Sequence, residues 1–170
     1  MKLRLWWILG FAMLALLFPA PASAVKPDRQ IFLNPEAVLP AGVACSGFDL
    51  SVTVDVEKQT ITTFFDNQGN PVRQLIVGRL IITGTNESTG ASLTTRLGGA
   101  FSIYFNPDGT LTFIGTGHSA VVFFPTDVPA GPSTTLYLGR VVFNFDPATG
   151  VATLGDTAGT KVDVCAVLGA

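Results

Sequence analysis

From Phe48 to Glu57 apolar and polar residues alternate without a break. Phe48, Leu50, Val52, Val54 and Val56 stand against Asp49, Ser51, Thr53, Asp55 and Glu57. A period of two sends the two sets to opposite faces of an extended chain, so the segment predicts a strand with one buried and one wet face. Strand-like stretches recur at 60–65, 72–85, 91–97, 101–105, 110–116, 120–124, 134–145, 151–154 and 161–167. Asp66–Asn70, Asn86–Gly90, Asn106-Pro107-Asp108-Gly109, Asp146–Gly150 and Asp156-Thr157-Ala158-Gly159 punctuate them. Pro presets φ and Gly accepts positive φ, so these read as tight turns rather than crossovers. No segment carries a helical apolar stripe capped at both ends. The expected fold is therefore all-β. It is a single antiparallel up-and-down β-barrel of about eight strands, with a β-sandwich as the alternative. Glycines inside strand segments, such as Gly78 and Gly84, favour the barrel because they permit bends.

The two ends of the chain say where it works. Lys2 and Arg4, an apolar run from Leu5 to Phe18, and Ala22-Ser23-Ala24 have the order of a secretory signal peptide, with cleavage after Ala24. The run is shorter than the roughly 20 residues a membrane span needs, and no Cys stands at the cleavage point to take a lipid. No stable membrane anchor is expected after cleavage, and the protein is expected to be secreted. Residues 25–44, with Pro27, Pro35 and Pro40, read as an extended leader, and 45–170 as the β domain. Cys45 and Cys165 lie near opposite ends of that domain. In an oxidising compartment, with no further Cys and a single His, the pair reads as one disulfide pinning the first strand to the last.

Charged residues make up 13% of the chain, against an average of about 25%. With 10 Lys and Arg against 12 Asp and Glu there is no basic face, which excludes a nucleic-acid partner. No metal constellation, phosphate loop or dinucleotide fingerprint is present, so no cofactor is expected.

Asn106-Pro107-Asp108-Gly109-Thr110, Gly115-Thr116-Gly117-His118, Gly139-Arg140-Val141-Val142 and Asp163-Val164-Cys165 form a recognisable set with Cys45. Together they resemble a group of small secreted proteins of unknown function, common in actinobacteria and their relatives. The resemblance covers most of the chain after the signal and rests mainly on turn chemistry. It implies a small barrel of the allene-oxide-cyclase or dirigent type and carries no activity over to any residue.

Candidate chemical groups are few. His118 is the only side chain whose unperturbed pKa lies near neutrality. It reads either as a solvated turn histidine or as a ligand contact at a barrel mouth. Ser119 follows it directly and should point to the other face, which argues against a nucleophile–base pair. Arg73, Arg79, Arg96 and Arg140 are expected on the outer, polar side. Asp66, Asp108, Asp146 and Asp156 are expected to cap turns. Asn86-Glu87-Ser88 matches the N-glycosylation pattern. Phe64-Phe65 and Val121-Val122-Phe123-Phe124 are apolar on both faces, as a covered edge or a partner surface would be. The reading favoured is a secreted barrel that binds a small apolar ligand in a Phe-rich interior, with His118, Tyr104 and Tyr137 as candidate contacts. An isomerase or cyclase, using those same groups or an Arg, and a cell-surface interaction module built on the 125–133 loop are the alternatives. The scarcity of charge tilts the reading away from an enzyme, and the oligomeric state is left open.

Overall fold

A computed structural model describes residues 25–170; the expected signal peptide, 1–24, lies outside them. Two short strands, β1 (Asp28–Phe32) and β2 (Ala37–Leu39), precede six long ones. These are β3 (Leu50–Phe65), β4 (Pro71–Asn86), β5 (Ser92–Phe105), β6 (Leu111–Phe123), β7 (Ser133–Asp146) and β8 (Val151–Asp163), followed by the helix α1 (Val164–Leu168). All eight strands belong to one antiparallel sheet in the order β1-β3-β4-β5-β6-β7-β8, with β2 also on β3. The all-β, up-and-down reading holds. The sheet, however, is not closed: among the described residues no ladder joins β8 to β1 or β2. The expected barrel gives way to an open, folded sheet of the kind the sandwich alternative describes.

Three local expectations are corrected. Residues 25–44 are extended, but they are not merely a leader, since β1 and β2 pair with opposite ends of β3. The turn expected at Asp156–Gly159 is strand, with Gly159 opposite Gly139 and Thr157 opposite Val141. Here two residues, Gly155 and Asp156, stand against Val142 alone, so the turn-forming chemistry makes a bulge inside β8. The strand expected at 161–167 ends at Asp163, whose carboxylate accepts the Ala166 N–H at 3.0 Å as the N-cap of α1. Val162 and Val164 mimic a strand's alternation, but Val164 and Leu168 are one helical turn apart and both buried.

A row of glycines crosses the sheet. Gly78 lies opposite Gly99, Gly139 lies opposite both Gly117 and Gly159, and the Gly98–His118 pair sets Gly99 beside Gly117. All five have positive φ, from 91° at Gly117 to 148° at Gly139. The need for glycine is plainest at Gly99 and Gly117. A Cβ on Gly99 would run into the Thr116 carbonyl, and one on Gly117 into the Gly98 carbonyl. Five consecutive strands therefore leave regular strand geometry at one level, and their backbones approach more closely there than side chains would permit.

Above this crease the sheet also splits. β5 and β6 pair only over Gly98–Phe105 and Leu111–His118, which leaves Ser92–Leu97 and Ser119–Phe123 without a ladder across the seam. The two arms meet instead through side chains. Leu50, Val52, Leu93 and Leu97 of one arm share a core with Ala120, Val122, Leu136, Leu138 and Val162 of the other. Phe48, Val164 and Leu168 complete it, and α1 touches β5, β7 and β8. The Cys45–Cys165 disulfide fastens the segment before β3 to α1, with Cα atoms 5.5 Å apart. It is thus a clasp between a loop and a helix, not the strand-to-strand pin expected. Asn86 seals the same end: it is 2% exposed, and its Nδ2 donates to the Leu168 carbonyl at 3.0 Å. In the folded chain that nitrogen is not open to a sugar.

Alternate residues of β6 and β7 serve a second core. Val121, Phe123, Tyr137 and Val141 are buried together, with Phe143, Ala152 and Leu154 against them. Phe113 and Phe143 stack with centroids 4.7 Å apart, and Phe123 meets Phe143 edge-on. The doubly apolar run at 121–123 is thereby explained, since its neighbours lie on different faces and both faces are covered. Phe124 leaves the strand 42% exposed.

The 124–132 loop is held by one buried carboxylate. Asp127, 4% exposed, accepts from the Phe124 N–H at 2.6 Å and from the Ala152 N–H at 2.8 Å. Val128 then pairs with the outer edge of β8 through bonds to Ala152 and Leu154. Replacing Asp127 by Ala strands two part-buried donors, each costing about 1–3 kcal/mol. Urea unfolding of Asp127→Ala is expected to show a loss of about 3 kcal/mol; a loss within 0.5 kcal/mol, the range of an ordinary surface change, would contradict this account.

Candidate functional site

The crease and the seam border a concavity. Gly98 and Gly99 leave one side without bulk, and divergence of β5 from β6 opens a gap beside them. The result is a cleft of about 310 Å³. Its apolar wall comes from Ile76 and Leu80 of β4, Leu97, Phe101 and Ile103 of β5, and Phe113 of β6. Gly98, Gly99 and Ala100 lie along it. The volume falls at the lower end of the range of small-molecule sites.

The polar lining is sparse and uncharged: Asn34, Gln59, Thr116, His118 and Ser119. His118 is not in a turn, as expected, but inside β6 opposite Leu138 and Gly98. It is exposed at the rim, and its Nδ1 lies 3.2 Å from the Arg96 carbonyl oxygen. A carbonyl only accepts, so Nδ1 is the donor, and in the neutral ring Nε2 is left as an acceptor. Ser119 is buried beside it. Among the described residues no hydrogen bond joins Ser119 to His118, and no three His, Cys, Asp or Glu side chains gather as metal ligands would.

The leader supplies part of the cleft. Phe32 of β1 pairs with Gln59 of β3, and both line it. Asn34 is tied down by three bonds: its N–H donates to Glu57 Oε2 at 2.9 Å, and its Nδ2 to Glu57 Oε1 at 2.6 Å and to Gln59 Oε1 at 2.8 Å. Four of the five residues of β1 are exposed, so this strap holds by its hydrogen bonds rather than by buried apolar area.

Of the three contacts read from the sequence, the structure brings only His118 to the cleft. Tyr137 belongs to the second core, where burial pushes its phenol above the ordinary value and Lys161 Nζ sits 5.6 Å from the ring centre. Tyr104 lies on β5 between Arg73 and Thr112 of the neighbouring strands, away from the lining. Arg79, Arg96 and Arg140 are exposed, and Arg73 lies over the Phe64 ring at 4.3 Å. Asp66 and Asp108 do cap turns. Asn70 and Thr110 respectively hold their carboxyls below the usual carboxylate value. The lining residues Ile76, Leu80 and Leu97 gave no sign in the sequence beyond being apolar.

Comparison with family models, with curated proteins and with solved structures returned no match. The lining of this cleft therefore carries the functional reading.

Proposed function

We propose that the chain is an exported binding module that holds a small apolar ligand in the cleft between β4, β5 and β6. The observation that carries this reading is the cleft itself: about 310 Å³, walled by Ile76, Leu80, Leu97, Phe101, Ile103 and Phe113, with a few polar groups at its margins. Apolar walls with few polar groups are the common chemistry of small-molecule sites. Export is supported by the basic, apolar and Ala-x-Ala order of residues 1–24 and by the disulfide. No helix among the described residues is long and apolar enough to cross a membrane. A cyclase would need polar groups converging inside the site, and of its expected residues only His118 is there.

Titration with an environment-sensitive naphthylamine dye, alongside native mass spectrometry of the secreted protein, tests the reading. Saturable binding of one dye per chain is expected. Ile103→Trp, which enlarges a residue of the apolar wall, should weaken it by about tenfold or more while the thermal midpoint stays near that of the parent. Absence of binding in the parent, or equal binding by a folded Ile103→Trp, would overturn it.

A further inference from the structure

The cleft has a chemical polarity that its volume alone does not state. None of its lining residues is Asp, Glu, Lys or Arg. The nearest carboxylate in its hydrogen-bond network, Glu57, is engaged by the Asn34 N–H and Nδ2. A charged ligand would lose hydration on entry and find no opposite charge to replace it, a penalty of several kcal/mol per ion. Anionic and cationic ligands are therefore disfavoured, fatty-acid carboxylates and amines among them.

Of the three polar groups that β6 brings to the cleft, Thr116 Oγ1 is spent on the Ala100 carbonyl at 3.0 Å, Ser119 is buried, and His118 is exposed at the rim. The Arg96 carbonyl accepts a hydrogen bond from His118 Nδ1–H, and in that neutral tautomer Nε2 is the acceptor left for a partner. The backbone fixes this tautomer: Arg96 lies on β5 just before Gly98, and Gly98 pairs with His118 itself. The amides of Asn34 and Gln59 lie on the far side. Gln59 pairs with Gly78, Gly78 with Gly99, and Gly99 neighbours Gly117, so His118 stands three strands away. That is about 14 Å measured along the sheet. One end of a small ligand meets His118 without meeting the amides.

Resting on the binding reading above, we propose that the ligand class is an uncharged apolar molecule carrying a hydroxyl group, a phenol or an apolar alcohol, whose O–H donates to His118 Nε2. The apolar body lies against Leu97, Phe101 and Phe113, and the hydroxyl marks the end that points to the rim. His118 acts here as a specificity group, and no bond is made or broken.

The test compares three probes of one skeleton on the intact secreted protein: naphthol, its methyl ether and naphthoic acid, followed by their own fluorescence. Naphthol is expected to bind about fivefold to tenfold more tightly than the methyl ether, the worth of one net hydrogen bond. Naphthoate should bind most weakly. In His118→Phe the advantage of naphthol should fall to within about twofold, while the ether binds as before. His118→Gln, which restores an acceptor, should recover part of the preference. If all three probes bind equally, or naphthoate binds best, the proposed ligand class is wrong and the binding cleft stands. If none binds, the binding reading itself fails. A preference for naphthol that survives in a folded His118→Phe would assign the hydroxyl to another residue and overturn the role given to His118.

Discussion

Gly99→Ala is expected to destabilise the chain by about 4 kcal/mol, a large part of the 5–15 kcal/mol that holds a typical domain together. Two penalties combine. At φ 125° the backbone sits where only glycine is comfortable, which costs about 1–3 kcal/mol for another residue. The new methyl also meets the Thr116 carbonyl, a backbone atom that cannot swing aside. Gly109→Ala separates the two. Gly109 has φ 86° in an open turn, with nothing within 4 Å of an added Cβ, so that substitution pays only the conformational cost. Urea midpoints followed by circular dichroism should place Gly99→Ala far below Gly109→Ala. Equal losses would mean that the strands do not approach at the crease as described.

Removing the disulfide is expected to cost nearly as much and to look different. The Cys45–Cys165 bridge closes a loop of 120 residues, for which chain entropy allows about 4–5 kcal/mol. The double variant Cys45→Ser, Cys165→Ser should therefore unfold about 3–5 kcal/mol more easily than the oxidised protein. Its strand signal should persist at low temperature, because each of the six long strands pairs with its neighbour in the chain and none of these ladders depends on the clasp. Amide exchange should quicken first in residues 40–49 and 164–168, the segments the bridge joins. A loss under about 1 kcal/mol, or a collapse of the whole β signal, would contradict this division.

What the sequence revealed follows the range of each interaction. Alternation at Phe48–Glu57 and the Pro-Asp-Gly turn at 107–109 are local signals, and they place strands and hairpins correctly. Closure of the sheet has no local signal. Whether β8 meets β1 depends on how far the sheet coils, and here no ladder joins them among the described residues. The glycines of the crease were visible singly, but their alignment depends on register: Gly78 against Gly99 and Gly139 against Gly159 come together only once the turns are counted. Asp127 carries no local signal, because its two partners, Phe124 and Ala152, lie at different strand ends. His118 was legible as a chemical group but not as a strand residue, since Gly115 and Gly117 around it imitate a turn. Nothing in the neighbours of Tyr104 and Tyr137 tells which face of the sheet they take.

The order of the strands carries a consequence for how the chain assembles. Each long strand pairs with the next in sequence, so the meander can zip up hairpin by hairpin from contacts that close short loops first, at low entropic cost. Besides the side chains of the first core, the segment around Cys45 and the helix that follows β8 must find each other across the whole domain. Their docking belongs at the end of folding, when the arms have already curled and the two thiols are brought near by structure rather than by diffusion of an open chain. Oxidation then records a fold already reached, and a chain emerging reduced into an oxidising space would carry its sheet with it before the clasp is locked.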